Sequence, residues 1–250
     1  METNYVLNVS GDVRKGSEVA NPEGCCRNPK LENKRRYLPM ALLLVTFLLF
    51  SGFQTLFALS YTSTASGNWN NAATWGGLGV PVAGDDVTIA SNHAITVTAD
   101  AACASIVFNN DGASLTVNGG FTLTVSGSIY LQALYTVNRS ATITGGGTVL
   151  AGSVQVGGQP SGLPITSGFK TTNLYSTVNT FTITGNLTIV SYGTIGDKNE
   201  GYFNLESGTV TIGGTVALNT SPAGNDLTRP RSTLTMETGA QSGTLILTGA

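Results

Sequence analysis

Apolar and polar positions alternate with a period of two along most of the chain downstream of Asp86. Val87–Ile89 and Ile95–Val97 open the series, and apolar-Thr-apolar triplets then recur at Ile95-Thr96-Val97, Leu115-Thr116-Val117 and Leu123-Thr124-Val125. Related pieces follow at Ile143-Thr144, Ile183-Thr184 and Val210-Thr211-Ile212. This alternation gives each short strand one apolar face and one Thr-lined face. Between the strands stand Asn118-Gly119-Gly120, Gly145-Gly146-Gly147, Gly157-Gly158 and Gly213-Gly214, residues that permit the positive φ of sharp corners. Triplet spacings of 20 or its multiples, 95 to 115 and 123 to 143 to 183, predict an all-β solenoid. Each coil of such a fold buries its apolar face against its neighbours.

Two stretches break the pattern and are expected to leave the coil as loops: Gly157–Tyr175, with Pro160 and Pro164, and Asn219–Arg231, with Pro222 and Pro230. Gly243–Ala250 reads as another strand opening at which the sequence stops. A solenoid end without a polar cap exposes an apolar layer and unpaired backbone. The expectation is therefore a solenoid truncated at its C-terminus, or one whose end another chain covers.

Upstream, residues 1–36 are polar and patternless and are expected to lack fixed structure. Lys34-Arg35-Arg36 then flanks an apolar run, Tyr37–Leu59, with small residues at Ala58-Leu59-Ser60. Basic flank, apolar core and small residues together describe a signal peptide over residues 37–60, with cleavage near Ser60 favoured. The competing reading is an uncleaved anchor, one apolar helix whose 23 residues would span roughly 34 Å at about 1.5 Å each. Either way the body is exported, with residues 61–100 as a capping segment plus first strands and 101–250 as solenoid repeats.

Composition sharpens this reading. From Tyr61 onward there are 32 Thr against five basic and nine acidic side chains, so strands and turns are favoured over helices. The same stretch is mildly acidic and has no basic stripe, which argues against nucleic acid as a partner, because phosphate neutralisation needs clustered Lys and Arg. Cys25 and Cys26 lie ahead of the apolar run without a second pair to complete a zinc site. Cys103 stands alone in A-A-C-A-S-I-V and reads as a small buried core residue.

Candidate chemistry concentrates between Trp69 and Val97. Trp69 and Trp75 are the only tryptophans, and both precede the first strand. Each ring can bury roughly 150–250 Å², so they either cover the open apolar end of the β-structure or form an aromatic platform for sugar rings. Asp85 and Asp86 follow Pro81-x-x-Gly84 and suit a turn whose backbone amides they accept. As calcium ligands, two adjacent carboxylates supply too few oxygens by themselves. His93 lies in a linker and reads as an exposed loop residue. The remaining carboxylates, Asp100, Asp111, Asp197, Glu200, Glu206, Asp226 and Glu237, are spread along the chain without a repeat at the coil period. Lys198 between Asp197 and Glu200 forms the densest charged group and looks like an exposed turn. Asn138, Asn186 and Asn219 head glycan-acceptor tripeptides of a kind expected by chance in a chain rich in Asn and Thr.

With Trp69, Trp75, Pro81, Gly84-Asp85-Asp86-Val87-Thr88-Ile89 and His93–Val97, the chain resembles the opening of the eight-glycine extracellular domain. That opening covers about 30 residues. The remainder is similar to secreted bacterial surface proteins that continue into right-handed parallel β-helix coils, and G-T-L-I-L-T-G-A is similar to strand repeats of autotransporter-type passenger domains. The resemblance implies an exported right-handed parallel β-helix with an N-terminal capping segment, used for surface attachment or carbohydrate contact. It carries over no catalytic residues. Expected partners are extracellular polysaccharide or cell-surface components, plus the membrane through Tyr37–Leu59 if that segment is uncleaved. The alternative is a fragment of a β-helix polysaccharide lyase or glycosidase whose catalytic coils lie elsewhere.

Overall fold

A computed structural model describes residues 58–109, 111–134, 137–158, 169–193, 198–221, 231–236 and 243–249. The tail, the apolar run up to Phe57, Cys25, Cys26, Asp197, Asp226 and Glu237 lie outside the described residues. The described body is a parallel β-solenoid of about five turns, and it contains no α-helix among the described residues.

Each coil lays down three strands, one on each of three faces. On the first face Ser60–Thr62, Asp86–Ile89 and Ser105–Phe108 pair in parallel, and 129–131, 154–156, Leu187–Gly193 and Val216–Ser221 continue the stack. The second face runs through Gly67–Asn68, Ala94–Val97, Ala113–Val117, 141–144, 172–178, Lys198–Leu205 and Thr233–Thr235. The third comprises Ala101–Cys103, 122–125, 148–151, 180–183, Thr209–Ile212 and Thr244–Leu247.

The period-two pattern sets which side chains go inside. In Ala113–Val117, Ala113, Leu115 and Val117 are buried while Ser114 and Thr116 are not, and Val210 and Ile212 repeat the pattern farther along. The core is one continuous cluster from Tyr61 to Ile212. Aliphatic columns fill it: Val87, Ile106, Ile129, Val154 and Leu187 stack behind the first face, and Leu123, Val149, Phe181 and Val210 behind the third.

Corners explain the glycines. Where the third face turns back to the first, Gly127 donates to the Ala104 carbonyl and Gly185 to that of Gly152. A Cβ on Gly152 would lie 2.5 Å from the Ser126 oxygen and 2.6 Å from that of Gly127, so bare backbone is required for adjacent coils to reach their spacing.

Three expectations need correction. The expected period of 20 holds for Ile95 over Leu115 but not beyond: Leu115 stacks on Ile143 and Leu123 on Val149. Leu123, Ile143 and Ile183, spaced by 20 and 40, are not one column, because Ile143 lies on the second face and the other two on the third. The coil lengthens because chain is added where the first face turns into the second. Between the described first-face and second-face strands the sequence gap grows from 90–93 and 109–112 to 132–138, 158–168 and 222–232. The expected Gly157–Tyr175 loop is also too long, since Phe169–Tyr175 belong to the strand Phe169–Ile183, paired in register with Lys198–Asn204. Likewise Asn219, Thr220 and Ser221 pair with Val190, Ser191 and Tyr192 and are not loop.

Candidate functional site

The segment ahead of the first full coil carries the two tryptophans. Asn71 caps a short 3₁₀ turn, Ala72–Trp75, by accepting the Ala73 amide, and Gly76 ends it at φ 69°. The turn drives Trp75 inward, where its Nε1 donates to the Trp69 carbonyl at 2.7 Å, while Trp69 Nε1 donates to the Pro81 carbonyl at 3.3 Å. The rings meet edge-to-face with centroids 5.2 Å apart, and Tyr61 adds a second edge-to-face contact to Trp75 at 6.2 Å. Both indoles are fully buried, at 0% exposure. The expectation of an aromatic platform is corrected on that ground, because neither ring offers a face to a ligand and both polar N–H groups are used inside.

Asp85 and Asp86, adjacent in sequence, do different work. Asp85 is buried, and its carboxylate accepts the Leu59 amide and the Val82 amide, each at 2.9 Å, closing the turn. Asp86 is exposed and accepts the Ser105 hydroxyl of the next coil. Among the described residues no group of three or more His, Cys, Asp or Glu converges on a point that could hold a metal. Among the described residues no further carboxylate, imidazole or thiolate joins Asp85 and Asp86 in such a group.

Several other expected carboxylates link coils. Asp100 accepts the Thr122 amide, and Asp111 accepts both the amide and the hydroxyl of Ser140. Asn138 and Asn186 do the same for the amides of Thr171 and Thr215. His93 is half-buried, with its Nδ1 2.8 Å from the Ser63 hydroxyl, which also accepts the Ala90 amide. Cys103 is buried as expected, and burial, with Asp86 and Asp85 adding to it, pushes its thiol up to about 12.

The charged group around Lys198 is not an exposed turn. Lys198 and Glu200 lie on the strand Lys198–Leu205, and Glu200 is 4% exposed. Lys198 Nζ pairs with Glu200 Oε1 at 2.7 Å, and the Tyr202 hydroxyl donates to Oε2. The ammonium also sits 5.1 Å from the centre of the Phe169 ring. Burial, then the bond to Glu200 and its charge, push Tyr202 up to about 12, against a lowering by Arg231. Sequence reading noted the charges here. Their shared outward side on one strand appears only once the strand is placed.

Behind this cluster the coil interior turns polar. Thr172 donates to Asn199 Oδ1 at 2.7 Å, and Asn199 Nδ2 donates to the Leu134 carbonyl. Ser191 accepts the Gly201 amide and donates to the Arg231 carbonyl. No sequence signal distinguishes these inward polar residues from the outward ones beside them.

Comparison with protein-family profiles, characterised proteins and solved structures finds no match.

Proposed function

We propose that this chain is an exported cell-surface or extracellular β-solenoid that acts as a rigid spacer and contact face in adhesion or carbohydrate contact. The observation that carries the reading is the stacking of three parallel sheets whose outward positions are mostly Thr, Ser and Asn, with few charges. A ladder continuous across coils resists bending, and uncharged hydroxyl and amide groups suit neutral polysaccharide better than nucleic acid. Within this proposal Tyr37–Leu59 directs export, either as a cleaved signal peptide or as a single-pass anchor. Residues 61–100 supply the capping segment and the first strands. The coils wind right-handed, the sense that strand–crossover–parallel strand connections adopt. The eight-glycine-type opening and autotransporter-type repeats are part of the same proposal.

One observation favours the second reading, a carbohydrate-active enzyme. Glu200 is a buried carboxylate held between a lysine and a tyrosine, beside an aromatic ring, on the outward side of a β-helix sheet. Glycosidic chemistry on two carboxylates needs a partner acid across the bond.

Glycan-array binding by the full chain, with and without calcium, tests the first reading. A defined glycan signal supports it. Release of reducing or unsaturated sugar ends from the bound polymer, lost in Glu200→Gln, transfers the case to the enzyme. A folded chain that ignores every glycan and every cell surface defeats the proposal.

A further inference from the structure

From Thr122 onward the third face keeps one strand length, whereas the strands of the other two faces vary. After its first strand, Ala101–Cys103, its strands 122–125, 148–151, 180–183, Thr209–Ile212 and Thr244–Leu247 pair through windows of four residues with no register shift inside any window. The irregularities in the long strands, at Val125/Ser128 and Val178/Thr180, fall at corners outside these windows. Each strand therefore presents two outward positions, and the two sets align as columns: Thr122, Thr148, Thr180, Thr209, Thr244 in one, and Thr124, Leu150, Thr182, Thr211, Ile246 in the other. Eight of these ten residues are Thr, and none is charged.

The columns form a lattice with fixed repeats. Neighbouring strands lie about 4.7–4.9 Å apart, and outward positions on one strand recur at about 6.6 Å, twice the rise per residue. Threonine is stiff at χ1, so its methyl and hydroxyl are held in place on such a surface. None of the eight hydroxyls is hydrogen-bonded to a described residue. Elsewhere hydroxyls are used internally: Thr177 bonds Thr144 on the second face, and Thr184 bonds the Ala151 carbonyl at a corner. Each free hydroxyl retains one donor and two acceptor sites for solvent.

We propose that this face is an ice-binding surface. The repeat along each column is close to the shorter oxygen spacing on the prism faces of hexagonal ice, and a rigid array of hydroxyls and methyls can template water in that direction. Apart from Asp100, beside Thr122 at its first strand, the face lacks the charged groups that would recognise an ionic polymer, and it has no aromatic rings on which sugars stack. An uncharged lattice of water is the occupant whose hydrogen-bonding capacity and periodicity match both columns. This inference does not depend on the adhesion reading, since an adhesive spacer could lack it.

The test is capture of the labelled full chain by a slowly growing ice hemisphere, with inhibition of ice recrystallisation as a second readout. The expected result is incorporation into the ice, which Thr180→Lys with Thr209→Lys reduces by about 10-fold or more, equivalent to about 1.4 kcal/mol. Thr116→Lys, outward on the second face, should leave incorporation unchanged. Should the lysine pair lose its strand signal in circular dichroism, Thr180→Ser with Thr209→Ser decides, because it removes two methyls while keeping both hydroxyls, and incorporation should again fall. Exclusion of the wild-type chain from ice overturns the proposal, as does equal incorporation by the folded face-three variants. Binding to crystalline cellulose combined with exclusion from ice overturns it in favour of a neutral polysaccharide.

Discussion

Trp75 shows how one side chain can organise a terminus. It touches Tyr61 and Trp69 edge-to-face, buries its whole surface and satisfies its N–H on the Trp69 carbonyl. Trp75→Ala would leave a large void and an unpaired carbonyl, at a cost of about 3–5 kcal/mol. Urea titration should show the midpoint falling with little change in slope, and an unchanged midpoint would remove Trp75 from the core. Cys103 gives a prediction in pH. Its folded-state pKa is raised to about 12 against an ordinary value of 9.0, so the neutral thiol is the form the fold favours. Stability from this group is complete below about pH 9 and is lost as pH climbs towards 12. Tyr202, raised from 10.0 to about 12, acts in the same direction over the upper part of that window. Cys103→Ala should flatten the alkaline fall in denaturation midpoint. In a Cys25→Ser, Cys26→Ser background the remaining thiol should resist alkylation at pH 8 until the chain is unfolded.

At the scale of strands and corners, the sequence was legible where one residue decides one position. The apolar-Thr-apolar triplets give the correct inward and outward faces at Ile95–Val97 and Leu115–Val117, because alternation depends only on local geometry. The coil length was not legible, because it depends on how much chain leaves at one corner. Leu123 and Ile143 look like successive repeats but occupy different faces. Pro160 and Pro164 mark a break in the pattern but not its end, and Phe169–Tyr175 belong to the sheet earlier than their composition suggests. The Lys198–Glu200–Tyr202 cluster was hidden for the same reason, since a strand and an exposed turn carry the same letters until the register is known. Corners yield their own test. Gly152→Ala places a methyl against two backbone oxygens of the previous coil, whereas Gly120, at φ +86° with nothing near its Cβ position, faces only conformational strain. The first substitution should cost more than the ~1–2 kcal/mol of a left-handed alanine, and the second about that much. Thermal melts of the two variants side by side decide it, and equal melting temperatures would mean that the close coil approach at Gly152 contributes nothing.

For the molecule as a whole, the arrangement of contacts is nearly one-dimensional. Each strand pairs chiefly with the strand one coil before and one coil after, and the core is a column of layers rather than a single centre. Stability is then a sum of coils and the interfaces between them, and damage spreads by neighbourhood. Phe181 is a suitable place to cut. It is fully buried, lies between Val149 and Val210 in the third-face column, and packs against Phe203 with centroids 6.3 Å apart. Phe181→Ala removes that contact and should cost about 3–5 kcal/mol, concentrated in the layers on either side. Hydrogen exchange followed by mass spectrometry should show amides over 172–212 losing protection while those over 86–97 keep theirs. Uniform loss along the chain would instead mean that the coils fold as one cooperative block, and the spacer reading would then rest on a rigid unit rather than on a string of coupled ones. The difference bears on function, because a chain that yields coil by coil under load can lengthen without letting go, whereas a single block holds fully or fails at once.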